Sequence, residues 1–254
     1  MANISLATAL RTIFTVLGLL MLATLLYTLF TDGLPFRKEL LTPWMTATLV
    51  DFYINVVALS VWVAYKESNW ISSILWIVFL VCFGSITTSV YVVVQFLKLS
   101  SQESSQDAMY YVLLRHPNKN DTAPKREYSS VVPLRILFSI LGATMLGTLV
   151  YTIVTDGSPF RRELLTPWLS ATLVDFYINI VALAVWVAYK ESSWVSAAFW
   201  IILLICFGSI ITCCYIVREL FQISCHDPAY LVLVHHDDID RAENKYKRIS
   251  VEAT

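Results

Sequence analysis

The chain has 254 residues, 57% apolar and only 15% charged, with a formal net charge of −1. A soluble domain carries roughly half apolar and a quarter charged residues, so this balance excludes an ordinary soluble protein and points into a bilayer. There is no dense basic cluster, and nucleic acid is not an expected partner.

Six apolar segments follow in chain order, near 9–30, 44–65, 71–94, 133–154, 168–189 and 195–217. Each is long enough, at about 20 residues, to cross a hydrocarbon core of about 30 Å as a helix. The first could be mistaken for a signal peptide, but Arg11, Phe14, Leu17, Gly18 and Met21 recur inside the chain as Arg135, Phe138, Leu141, Gly142 and Met145. It is therefore read as a retained helix. Thr31-Asp-Gly33 marks a turn, and Pro35–Leu41 reads as a short amphipathic surface segment with Arg37 and Lys38 toward headgroups. Thr42-Pro43 then opens the second helix, Thr as N-cap and Pro at the first helical position. Trp44 is expected at the membrane interface.

The connection Lys66–Trp70 is short enough to make the second and third helices antiparallel neighbours. Cys82-Phe-Gly84-Ser85-Ile-Thr87-Thr88 in the third, and Cys206-Phe-Gly208-Ser209-Ile-Ile-Thr212 in the sixth, read as small residues for close helix packing whose hydroxyls can bond across to a neighbouring helix. Asp107–His116 and Asp227–His236 are too short to span and read as surface-lying segments. The polar stretches 117–132 and 237–254 read as a linker and a tail, and His235-His236-Asp237-Asp238 reads as solvated tail. Five cysteines in or just after apolar segments show no ligand spacing, so neither metal nor cofactor is expected.

The chain repeats itself with an offset of 124 residues: 31–70 and 155–194 agree at 33 of 40 positions, whereas 10–30 and 134–154 agree at 11 of 21. This divides it into a first unit, 1–116, the linker 117–132, a second unit, 133–236, and the tail 237–254. Both units carry one polar stripe at helical spacing: Trp44, Thr48, Asp51, Asn55, Ala58 and Trp62, then Trp168, Thr172, Asp175, Asn179, Ala182 and Trp186. An acid inside a membrane helix is costly, faces the bundle interior and is a functional candidate by default. Asp51, Asp175, Asn55, Asn179, Thr48, Thr172, Trp62 and Trp186 are therefore the candidate substrate- or ion-binding residues. A static polar clamp between helices is the competing reading.

The doubled pattern Leu-Thr-Pro-Trp-x3-Thr-Leu-Val-Asp-Phe-Tyr-Ile-Asn, with Trp-Val-Ala-Tyr-Lys-Glu-Ser, resembles a plant family of uncharacterised integral membrane proteins with a tandem three-helix repeat. The resemblance implies a multi-pass membrane protein and carries no activity.

The expected fold is all-α, a polytopic membrane bundle of six transmembrane helices built from two tandem three-helix units. Three crossings per unit would turn the second unit upside down, giving inverted repeats. The carboxylates of Asp51 and Asp175 should then lie about 10 Å apart along the membrane normal. Under this model the 18 Lys and Arg divide evenly between the sides and give no orientation.

Three function classes fit. The first is a small-solute or ion transporter or channel, proton-coupled through the paired Asp/Asn site, with a small solute or cation as partner besides the lipid bilayer. The second is a non-catalytic scaffold or assembly factor with structural acids. The third is a membrane-embedded enzyme acting on a lipid-soluble substrate; no His-rich cluster, Ser/His/Asp arrangement or phosphate loop supports it, so no enzyme is expected.

Overall fold

A computed structural model describes residues 2–35, 37–115, 131–225 and 228–234, and among these the elements are all helices, with no strand. Asn120-Asp-Thr122, an acceptor sequon for N-glycosylation in the linker, and His235, His236, most of the linker and the tail lie outside the described residues.

The N-terminal half contains α1 (Ala2–Asp32), α2 (Pro43–Lys66), α3 (Trp70–Phe83), α4 (Ser85–Leu97), α5 (Ser101–Gln106) and α6 (Ala108–Leu113). The C-terminal half contains α7 (Val131–Asp156), α8 (Pro167–Lys190), α9 (Trp194–Phe207) and α10 (Ser209–Gln222), then a short 3-10 helix, Ala229–Leu233. Helices α1, α2, α7 and α8 are long and apolar enough to cross a membrane. The Thr-Pro starts work as the sequence implies: Thr42 accepts from Met45 N–H and Thr166 from Leu169 N–H, satisfying a donor that the first helical turn leaves open. Large apolar side chains such as Val16, Leu19, Leu20, Ile140 and Ile202 lie exposed on the outside, as a lipid-facing surface requires.

The third and sixth apolar segments are not continuous helices. Each breaks at a glycine in a positive-φ conformation, Gly84 (φ 52, ψ −127) and Gly208 (φ 55, ψ −130), and the chain doubles back. Thr87 Oγ1 donates to the Phe79 carbonyl (2.9 Å), the Trp76 and Tyr91 rings meet edge-on at 5.0 Å, and Tyr91 Oη donates to Glu67 just before α3 begins. Helices α3 and α4 are therefore the two arms of one hairpin. Its α3 arm of 14 residues is about 21 Å long at 1.5 Å per residue, short of the roughly 30 Å core. The pair α9–α10 repeats the arrangement, with the Trp200 and Tyr215 rings at 5.1 Å and Tyr215 Oη donating to Glu191 at 3.1 Å.

This replaces the expected six crossings and removes the inversion. Arg11 near the start of α1 donates to the Phe96 carbonyl at the end of α4, and Lys66 at the end of α2 donates to the Tyr111 carbonyl in α6. The start of α1 and the ends of α2 and α4 thus share one end of the bundle. Arg135 donates to the Leu220 and Ile223 carbonyls, and Lys190 to the Val234 carbonyl, which places the same features of the second half together. Tyr65 stacks on Tyr230 at 5.6 Å, and Tyr189 Oη donates to Asp107 at 3.0 Å, so both sets lie at the same end. Helices α1 and α7 run parallel, as do α2 and α8. A hairpin returns the chain to the end it left, so each half makes an even number of long passes and the next half starts in the same sense.

Candidate functional site

The break at Gly208 leaves the first N–H groups of α10 without intrahelical partners. Asp51 supplies an acceptor from the opposite half: Ser209 N–H donates to its Oδ1 at 2.7 Å. The reciprocal contact is the same, Ser85 N–H donating to Asp175 Oδ1 at 2.7 Å. One turn further along, Thr212 Oγ1 donates to Asn55 Oδ1 and Thr88 Oγ1 to Asn179 Oδ1, both at 2.8 Å. Each acid therefore caps the interrupted helix of the other half, where the positive end of a helix favours a negative charge. The approach is so close that a Cβ on Gly208 would lie 2.5 Å from Asp51 Oδ2, and one on Gly84 would meet Asp175 in the same way.

Both asparagines are fully buried, and the Nδ2 of each has no partner among the described residues. One oxygen of each acid, Oδ1, accepts from a backbone N–H, and the polar atoms left over on Asn55 and Asn179 are donors. A cation drawn to these carboxylates would face the positive end of a helix. Among the described residues no group of acidic, His and Cys side chains is placed to hold a metal ion.

The rest of the stripe does not converge on the acids. Thr48 and Thr172 donate to the Trp44 and Trp168 carbonyls of their own helices at 2.9 Å. Trp44 and Trp168 lie in the first turn of α2 and α8, and both side chains are buried in the protein. Trp62 and Trp186 lie at the far end of α2 and α8, where they line an apolar cavity that Asp51, Asn55, Asp175 and Asn179 do not touch. Sequence reasoning read Gly84, Ser85 and Thr88 and their counterparts Gly208, Ser209 and Thr212 as close packing with hydroxyls bonding across to a neighbour, as Thr88 and Thr212 do, but it missed the break at the two glycines. Their signal was a Gly-Ser pair, a turn former and a helix N-cap, in the middle of an apolar run.

A further polar cluster ties the hairpins to the ends of α2 and α8. Glu67 accepts from Ser72, Tyr91 and Gln95, while Glu191 accepts from Ser196, Tyr215 and Arg218. Burial pushes the Glu191 carboxyl up, but the hydrogen bonds from Ser196, Arg218 and Tyr215 outweigh it and hold the group below its ordinary value. The halves differ here. Buried Glu219 lies 3.5 Å from Lys190, where the first half has Gln95 and Lys66.

No curated protein and no solved structure matches the chain. Residues 1–239 match the family model described as "Protein of unknown function (DUF1475)", and the chain, an all-helical protein with four membrane-length apolar helices, belongs to that family.

Proposed function

We propose that this protein is a membrane carrier in which α1, α2, α7 and α8 cross the bilayer, the hairpins α3–α4 and α9–α10 dip into it from one side, and Asp51 and Asp175 latch the hairpin tips. The observation that carries this reading is the exchange of caps, each acid holding the broken helix of the opposite half. Interrupted helices meeting at the interface between halves, deep in the membrane, are how many secondary transporters build a solute site. The latch is also switchable. An ionised carboxylate satisfies the backbone donors freed by the break and complements the helix end, and a proton on it weakens both contacts. Proton uptake would loosen a tip and expose its N–H groups to a solute. The unused Asn55 and Asn179 donors favour a small solute that offers acceptor oxygens.

Charge distribution supports the four-crossing reading and gives it a direction. Arg37, Lys38, Arg161 and Arg162 sit in the loops at one end, and the other 14 of the 18 Lys and Arg belong to the opposite end or to segments attached to it. The positive-inside rule puts that richer end, with the hairpin mouths, in the cytosol.

The test is solute uptake into proteoliposomes across a pH gradient, with Asp51→Asn and Asp175→Asn beside wild type. Asn keeps an acceptor for the cap and removes the ionisable proton, so both variants should fold and lose pH-dependent flux. Flux with an unchanged pH profile in both refutes the latch. A second reading, a static scaffold, draws on the full engagement of both caps and on the absence of Asp51 and Asp175 from the cavity lining. It predicts no flux in wild type for any solute tested.

A further inference from the structure

Asp51 and Phe52 are adjacent on α2, so their side chains point about 100° apart around the helix. They reach different hairpins. Asp51 caps the α10 tip of the opposite half, whereas buried Phe52 packs on the tip of its own half, where a Cβ on Gly84 would lie 2.7 Å from Phe52 Cζ. Tyr53 Oη donates to the Val81 carbonyl just before that same tip (3.5 Å). The second half is built alike: Asp175 caps α4, a Cβ on Gly208 would lie 2.7 Å from Phe176 Cζ, and Tyr177 Oη donates to the Ile205 carbonyl (3.5 Å). The Asp-Phe-Tyr that both halves share is thus a two-way clasp, with its acid on one tip and its rings on the other.

These contacts close a ring. It runs from α2 through Asp51 to the α10 tip, through Phe176 to α8, through Asp175 to the α4 tip, and back through Phe52 to α2. Close-packed groups of this kind repack in discrete steps rather than deform continuously. A tip released by Asp51 draws away from the Phe176 ring, and for that ring to stay covered α8 must turn. Asp175 precedes Phe176 on the helix and turns with it, away from Ser85.

We infer that the two hairpin tips form one cooperative unit, in which undoing either cap loosens both. The coupling belongs to the fold and is measured without a solute, so it stands whether or not the latch operates in transport. Its use there, as a single gate worked by both acids, rests on the carrier reading.

The experiment is hydrogen exchange read by mass spectrometry on the full chain in mild detergent, following the tip segments 84–88 and 208–212. Their first amides, Ser85 N–H and Ser209 N–H, are held by the acids. Asp51→Ala should speed exchange at 208–212 directly and at 84–88 by about fivefold or more, the lower end of allosteric couplings. Asp175→Ala should do the reverse by a similar factor, because coupling is reciprocal. Phe176→Leu shortens the ring and leaves both acids, so adding Asp51→Ala to it should change 84–88 by less than about twofold, the limit for independent sites. Glu191→Gln, at the hairpin mouth, should leave both tips within that same limit of about twofold. Protection in the middle of α7, at 143–150, reports that the fold is intact. If Asp51→Ala loses it, the milder Asp51→Asn is read in its place and should show the same pattern at both tips. Wild-type exchange at 84–88 in the folded Asp51 variant, a remote effect that survives Phe176→Leu, or equal loosening of both tips by Glu191→Gln each overturns the inference.

Discussion

The cap exchange makes a quantitative prediction at Gly208. An added Cβ would lie 2.5 Å from Asp51 Oδ2 and 2.7 Å from Phe176 Cζ, and the backbone sits at φ 55, ψ −130, a region that L side chains avoid. Conformational strain of this kind costs about 1–3 kcal/mol, and contacts that close force either the acid or the ring to move. Gly208→Ala should therefore destabilise the protein by about 3 kcal/mol or more, or roughly 6–12 °C in Tm at the scaling for chains of this size. Asp51→Ala removes a cap and orphans a buried N–H, at about 2 kcal/mol. In the double variant the clash with the carboxylate is gone, so the two losses should fall short of their sum by about 1–2 kcal/mol, in the range expected for residues in contact. The assay is thermal unfolding in detergent, followed by intrinsic fluorescence across the full double-mutant cycle. Gly147→Ala in α7, where nothing lies within 4 Å of the new Cβ, serves as control and should be neutral or slightly stabilising. Strict additivity between positions 51 and 208, or a wild-type Tm in Gly208→Ala, would refute the reasoning.

Three further outcomes can be checked. Because the first half carries neutral Gln95 at the position of Glu219, Glu219→Gln should cost less than about 1 kcal/mol, whereas Lys190→Met, which leaves buried Glu219 with only Arg218 as a cation at 3.3 Å, should cost about 1–3 kcal/mol by the same unfolding assay. A glycosylation sequon introduced after Gly33 should be modified in a eukaryotic host while native Asn120 stays bare; the reverse result would invert the orientation. The Glu191 carboxyl is held below its ordinary value of 4.5, so it stabilises the fold at pH above that value, and the contribution is lost as pH falls through the lower folded value. Wild type should therefore lose Tm on acidification below about pH 4.5 more steeply than Glu191→Gln, and matching acid limbs would remove Glu191 as the cause.

How much of this was legible follows from which signals are local. The Thr42-Pro43 and Thr166-Pro167 starts, the long passes α1, α2, α7 and α8 and the inward-facing acids all rest on short-range chemistry, and the sequence states them openly. The partners of the acids are 158 and 90 residues away, and no periodicity points across such a distance. The packing of Trp44 and Trp168 was hidden for a similar reason: a solvent- or lipid-facing aromatic and a buried one look the same in sequence, and here Trp168 packs with Met45 and Leu169 where α2 and α8 start side by side.

The misreading of Gly84 had the largest consequence, because topology depends on parity. Read as one helix, 71–94 adds a crossing, inverts the second half and splits the basic residues evenly between the two sides. Read as a hairpin, it adds none, keeps α1 and α7 parallel, and leaves only Arg37, Lys38, Arg161 and Arg162 at the far end. The two halves share 33 of 40 residues over 31–70 and 155–194, so an inverted pair would have to place the same loop, with its two basic residues, in the cytosol once and outside once. The hairpin removes that conflict, since both copies of Pro-Phe-Arg-Lys/Arg-Glu then meet the same side of the membrane. The backbone at Gly84 and Gly208 turns the apolar run back where the opposite half's aspartate caps it, at a place where a Cβ is sterically excluded, and the asymmetry of charge follows from that turn.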